Sequence, residues 1–201
     1  LNVIKGTSGI AADLSPDQAE GVGSKVNVIE GKCKMHQAMI RDKHKLELYL
    51  IPAAQTRDKD SIEPEQLREL CEKLEQEFDY VLIDCPAGIE GGFKNAVGAA
   101  KEAILVTTPE VSAIRDADRV IGLLEASELH RPKLIINRIN TNLVKHGDMM
   151  DKDDIVELLS VEILGLVPAD EHTITAANRG VPVVHDKKAP SGSAFLRIAA
   201  R

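Results

Sequence analysis

Asp84 closes the apolar run Tyr80–Ile83 and opens the string Asp84-Cys-Pro-Ala-Gly88. A carboxylate at the tip of a buried strand can hold a Mg²⁺-bound water beside a nucleotide's phosphates; the competing role is to cap the next turn. Pro86 and Gly88 favour the first, because they make a loop able to bring backbone N–H groups toward a phosphate. Asn137 follows a second apolar run, Leu134–Ile136. Its amide offers one donor edge and one acceptor, the pairing needed to read adenine, and a plain turn asparagine is the alternative. Thr107-Thr-Pro-Glu110 reads as a helix start, with a threonine cap and proline in the first turn. Arg115, Asp116, Asp118 and Arg119 then crowd charge onto that helix, either as a solvated face or as a subunit contact. Cys85 has no cationic neighbour in sequence to activate its thiol and reads as structural filler.

These residues need a scaffold that brings them to one edge, and the hydrophobic pattern describes one. Strand candidates are Leu46–Ile51, Tyr80–Ile83, Ala103–Val106, Leu134–Ile136 and Ile163–Val167. Tyr80–Ile83 is continuous enough to be buried on both faces. Between them lie segments of helical period: Leu67, Leu70, Cys71, Leu74 and Phe78 after Pro64, then Ile114, Ala117, Ile121 and Leu124, then Ile155, Leu158 and Leu159 after the acidic Asp151–Asp154. Residues 95–100 and 171–179 are weaker helices, and Ser193–Arg201 begins a last one. This alternation is that of an α/β fold: a mostly parallel sheet with helices on both faces. In such a sheet ligands bind beyond the carboxyl ends of the strands. Asp84–Gly88, Thr107–Glu110, Asn137–Arg138 and Pro168–Asp170 all sit at those ends. Residues 28–201 read as one domain, and the glycine- and serine-rich residues 1–27 as a separate, degenerate segment.

Composition narrows the chemistry. Of 201 residues, 25 are Lys or Arg and 32 are Asp or Glu, a net charge of −7 with no basic block, so no nucleic-acid partner is expected. Aromatic content of 2% leaves nothing for base-stacking platforms. Cys33, Cys71 and Cys85 are scattered without a CxxC pair, which points to reduced thiols rather than a disulfide framework or zinc site.

Several strings are longer than chance allows. Val28–Gly31, Pro52–Lys59, Asp79–Glu90, Val106–Ser112, Arg115–Arg119, Asn137–Arg138, Gly147–Met150 and Asn178–Gly180 occur in the order, and with the residues, of the MinD family of deviant-Walker ATPases. The resemblance runs from about residue 26 to the C-terminus. It implies a P-loop NTPase-like fold with an incomplete N-terminal part, and ATP and Mg²⁺ as ligands. It also implies an ATP-dependent homodimer on the inner face of a bacterial membrane (or in a plastid) that helps place the division septum. The partners implied are a MinC-like division inhibitor and a MinE-like topology factor. By position, Asp84 resembles the aspartate that binds Mg²⁺ through water, and Asp84–Gly88 the second switch. Asn137 and Arg138 resemble the adenine-reading turn, with Pro168 and Asp170 lining the base pocket, while Glu110, Ser112, Arg115 and Asp116 fall on the dimer or partner surface.

The phosphate loop departs from the family. The nearest counterpart is Lys5–Ala12, which keeps Lys5, Gly6 and Gly9 but puts Ile10 where the phosphate lysine belongs and Ala11 where the Mg²⁺-binding threonine belongs. Gly21-Val-Gly-Ser-Lys25 has glycines but reverses lysine and hydroxyl. The segment up to Asn27 is too short for a βαβ unit of roughly 30 residues, so the first switch and its catalytic aspartate have no counterpart, and no catalytic residue is assigned. Phe195–Arg201 is likewise a weak membrane anchor. Two readings follow: an ATP-dependent switch impaired in hydrolysis, or a non-hydrolysing scaffold on the same fold. Each missing charge-assisted contact is worth roughly 1.5–3 kcal/mol, so affinity for Mg-ATP should fall by about two to four powers of ten. Isothermal calorimetry should therefore find Mg-ATP binding weaker than micromolar, and Ile10→Lys with Ala11→Thr should strengthen it. Micromolar binding by the unaltered chain would refute the reading of Lys5–Ala12.

Overall fold

The computed structural model describes residues 2–4, 28–29, 31–42, 47–52, 63–85, 89 and 91–201, which fall into two compact units, Leu1–Ala100 and Lys101–Arg201. Lys5, Gly6, Gly9 and Gly88 lie outside the described residues.

In the first unit, strands β1 (Asn2–Ile4), β2 (Ile40–Arg41), β3 (Leu48–Leu50) and β4 (Tyr80–Leu82) form a sheet in the order β2-β3-β1-β4. Every pairing in it is antiparallel. Since β1 opposes both β3 and β4, those two run in the same direction, as the alternating pattern requires, with β1 between them. Helix α1 (Pro64–Glu75) starts with proline at its first position, and the Glu63 N–H donates to Gln66 Oε1 at 3.0 Å. Its stripe Leu67, Leu70, Cys71 and Leu74 is buried against Ala38 and Ile51, as the periodicity predicts. Helix α2 (Gly91–Ala99) packs on α1, with Gly98 against Pro64. Strand β4 is not buried on both faces: Val81 turns to this core, whereas Tyr80 and Leu82 are 61% and 41% exposed.

The second unit meets the expectation more fully. Strands β5 (Ile104–Thr107), β6 (Lys133–Ile139) and β7 (Glu162–Pro168) are parallel, in the order β5-β6-β7. Helices α3 (Val111–Ala126) and α5 (Lys152–Leu159) cover one face, placing Ile114, Ala117, Ile121, Ile155 and Leu159 on Leu134 and Ile136. The other face takes α7 (Pro190–Ala199), whose Ala194, Phe195 and Ile198 meet Ile135, Leu164 and Val167. Successive residues of β6 thus feed opposite cores, which is why Leu134–Ile136 is apolar without a break. Short helices α4 (Thr141–His146) and α6 (Glu171–Asn178) lie at the strand ends.

Side-chain caps start α4, α5 and α6, whereas α3 and α7 have none. Asp151 caps α5 by accepting from the N–H groups of Asp153 and Asp154 at 2.8 and 2.9 Å. The start of α3 is corrected: Glu110, not a threonine, is its cap residue, and Thr107 is buried with its hydroxyl donating to the Ala113 carbonyl at 3.1 Å. Helix α7 begins at Pro190, three residues before the expected Ser193, and is seated where two side chains are missing. A Cβ on Gly165 would overlap Ile198, and one on Gly192 would come within 2.5 Å of the Val183 carbonyl oxygen. Among the described residues no helix is long and apolar enough to cross a membrane.

Ile155 is fully buried and Leu158, one turn on, is 58% exposed. Ile155→Ala should lower stability by about 2–5 kcal/mol and Leu158→Ala by less than about 1 kcal/mol, as urea denaturation will measure.

Candidate functional site

Because β5, β6 and β7 are parallel, their carboxyl ends share one edge, and the sequence placed polar residues at each end. The ladder between β6 and β7 does more than align them. Ile136 pairs with Leu166 and Ile139 with Pro168, so Asn137 and Arg138 together stand opposite Val167 alone. This is a bulge on β6. Upstream, Leu134 pairs with Ile163 and Ile135 with Gly165, which leaves Leu164 as an extra residue on β7. The two irregularities cancel, so both strands finish in register.

The β6 bulge is strained. Arg138 has φ +60°, and of the four non-glycine residues with positive φ among the described residues it alone lies within a strand. Its N–H donates to the Oδ1 of Asn137 at 2.9 Å. Asn137 is half-buried and Arg138 exposed. Beside them, the Ala169 N–H donates to the Ile139 carbonyl at 2.9 Å and ties Pro168–Asp170 to the bulge. The structure therefore brings Asn137, Arg138, Pro168 and Asp170 together. Asp84 belongs to the other unit, where it follows β4 and is exposed.

Asp170 has a carboxylate 4% exposed and occupied on both oxygens. Oδ1 accepts from the His172 N–H at 3.0 Å and lies 2.8 Å from His172 Nδ1. Oδ2 accepts from the N–H and hydroxyl of Ser191 at 3.0 and 2.7 Å, and the Ser191 hydroxyl also meets Thr173 Oγ1 at 3.0 Å. Burial works to raise the pKa of this carboxyl, but the bonds from Ser191 and His172 outweigh it and hold the group well below the usual carboxylate range. Its side chain caps α6 and clamps the start of α7 to the end of β7. Sequence reasoning missed Ser191 and His172. The available signals were a histidine two residues after a strand-end aspartate and a serine directly after a helix-starting proline.

The expected partner surface is exposed as a group. Glu110, Ser112, Arg115 and Asp116 are all exposed, and Ser112, Arg115, Asp116 and Arg119 share the face of α3 opposite its buried stripe. Next to them a cavity of about 640 Å³ is lined by Pro109, Glu110, Val111, Met149, Met150 and Asp154 among others. Gly147, with φ +78°, ends α4 and turns the chain into this wall, and the Asn140 N–H meets Met149 Sδ at 3.3 Å. Cys85 is exposed rather than filler, and burial together with the adjacent Asp84 charge pushes its thiol pKa up, away from nucleophilic chemistry. Among the described residues no cluster of three His, Cys, Asp or Glu can hold a metal by itself.

Residues 29–141 match the family model described as ATPase MipZ. The chain is 54% identical over 178 residues to the septum site-determining protein MinD of Bacillus subtilis (strain 168), a stretch that is 88% of this chain and 66% of that protein. It thus spans just under two thirds of the length of that relative. In fold it is similar to the MinC:MinD cell division protein complex of Aquifex aeolicus, with TM-score 0.82, 41% identity and coverage of 90% of this chain and 72% of that one. It is also similar to the septum site-determining protein MinD of Pyrococcus horikoshii OT3 complexed with Mg-ADP, with TM-score 0.75, 25% identity and coverage of 93% and 73%.

The Asp170 clamp has a pH signature. Its carboxylate is lowered in the folded state, so the stability it adds is present above the unfolded-chain value near pH 4 and is lost as pH falls below that. Asp170→Asn should cost about 2–3 kcal/mol at pH 7. Urea denaturation between pH 5 and pH 2 should also show a shallower loss of stability in the variant than in the parent.

Proposed function

We propose that this chain, which belongs to the MinD family of ATPases, serves in placement of the division septum as a nucleotide-dependent switch. The observation that carries the reading is the meeting of Asn137, Arg138, Pro168 and Asp170 at the carboxyl edge of a parallel sheet. A related chain of the same fold is complexed with Mg-ADP. Here ATP is the ligand. Asn137 reads the adenine and the Pro168–Asp170 segment walls the base; Asp84, by its match to the family's sequence alone, would hold a water of the Mg²⁺ that the phosphates carry. That division of labour suits the residues present, since one carboxylate suffices for a cation already held by phosphate oxygens. Mg²⁺ supplies neutralisation of phosphate charge when bound.

In this reading ATP closes a homodimer through the region of Glu110, Ser112, Arg115 and Asp116, and the closed form recruits a MinC-like division inhibitor. A MinE-like factor releases it. The relative in complex with MinC supports the first partner. Ile10 and Ala11 supply neither the phosphate lysine nor the Mg²⁺-binding hydroxyl, so hydrolysis by this chain is negligible. Within α7 itself, Phe195 and Ile198 pack into the sheet and leave little apolar surface to insert into a membrane. The expected location is the bacterial cytoplasm, against the inner membrane.

The exposed α3 face favours a second reading, a scaffold that binds its inhibitor without a nucleotide cycle. Binding of the cognate MinC-like inhibitor, measured by biolayer interferometry with and without Mg-ATP, separates the two. Dependence on Mg-ATP supports the switch, and equal binding supports the scaffold. Asp116→Arg should weaken binding at least about tenfold in either case, with a melting temperature within a few degrees of the parent. Unchanged binding by that variant would remove α3 from the partner surface.

A further inference from the structure

The geometry points to Arg138 as the residue that sets base specificity, acting through its backbone rather than its guanidinium. The inference rests on the adenine-nucleotide reading above and deepens it.

A free asparagine amide is ambiguous. It can rotate by half a turn about its last torsion and exchange its carbonyl oxygen for its NH₂ group. Adenine presents the N6 amino donor where guanine presents the O6 acceptor. An amide able to flip can answer either base at that position, with Oδ1 toward N6 or with Nδ2 toward O6. Asn137 is not free to do this. The N–H of Arg138 points at Oδ1 from 2.9 Å, and exchanging the two ends would set the NH₂ group against that N–H, donor against donor. The lock leaves one lone pair of Oδ1 for a donor on the ligand. It also leaves Nδ2 available, since it donates to no described residue.

The lock depends on the bulge. At the bulge, where two residues of β6 stand opposite Val167 and Arg138 sits at φ +60°, the peptide plane between Asn137 and Arg138 is turned so that its N–H leaves the β6–β7 ladder and meets its neighbour's side chain. A regular strand would place that N–H in the ladder and free the amide. The left-handed backbone of a non-glycine residue inside a strand is thereby accounted for as a positioning device: Arg138 holds Asn137 in the one orientation that accepts from adenine N6 and opposes guanine O6.

The test uses the full chain labelled with ¹⁵N and titrated separately with adenosine and guanosine. The readouts are the Asn137 side-chain NH₂ and Arg138 backbone N–H resonances. Adenosine should shift both and bind about tenfold more tightly than guanosine, the discrimination expected of one well-placed amide. Arg138→Val, whose β-branch opposes positive φ, should bring the adenosine-to-guanosine ratio close to one and speed exchange of the residue 138 amide proton. Arg138→Gly, which adopts positive φ freely, should restore the ratio, whatever loss of the guanidinium does to both affinities. Arg138→Thr, β-branched but smaller and polar, provides the same comparison if the valine variant does not fold. The inference is overturned if Arg138→Val or Arg138→Thr keeps the parent ratio, if the parent binds both nucleosides equally, or if neither shifts Asn137. In that last case, Mg-ATP binding seen by calorimetry would show that the nucleotide reading survives through phosphate contacts while the base lock fails.

Discussion

The backbone ladder between β6 and β7 is the constraint on which the second unit depends. Its two offset irregularities, one residue added on β7 and one on β6, let the strands end together while giving each a local departure from flat pleating. The first departure presents Gly165 to α7. The second turns Asn137 and Arg138 out of the ladder at the carboxyl edge of the sheet. Packing and chemistry therefore share one set of hydrogen bonds. A register slip of one residue would send Leu134 and Ile136 to the α7 face and Ile135 to the α3 face, emptying both cores as well as dismantling the site.

Asp170 shows how a residue expected to touch a ligand works indirectly. A buried carboxylate with both oxygens occupied has little capacity left for a base, but it fixes the segment that follows β7. Four donors around one charge define the direction of α6 and the start of α7 at once. The wall beside Asn137 is consequently rigid without any large side chain in it, which suits a slot for a flat ring.

Much of the scaffold was legible from sequence, and the reasons are particular. Leu134–Ile136 reads as a strand, and the stripes on α1, α3 and α5 are spaced as helices that bury one face. Convergence at the strand ends follows from parallel direction alone. Two things resisted. Short capping sequences are degenerate: Thr107-Thr-Pro109 has the composition of a helix cap, yet Thr107 lies deeper and bonds to Ala113, because the helix starts at Val111. Long-range polar contacts leave no local trace either, since Ser191 meets Asp170 across 21 residues of chain. The bulge at Arg138 was equally silent, for nothing in Asn-Arg announces a left-handed backbone. The pattern of Tyr80–Ile83 also misled, since an apolar run states what the chain can bury and not what its own unit supplies to cover it.

The seating of α7 carries a mechanical corollary. At Gly165 and Gly192 the distance from helix to strand and from helix to turn is set by main chain and one isoleucine, with no long side chain to act as a cushion. Such a joint neither rolls nor slides in small increments. A label on α7 would hold a heading fixed relative to the β6–β7 edge, and a second label on the outer face of α3 would form a ruler whose length belongs to the fold itself.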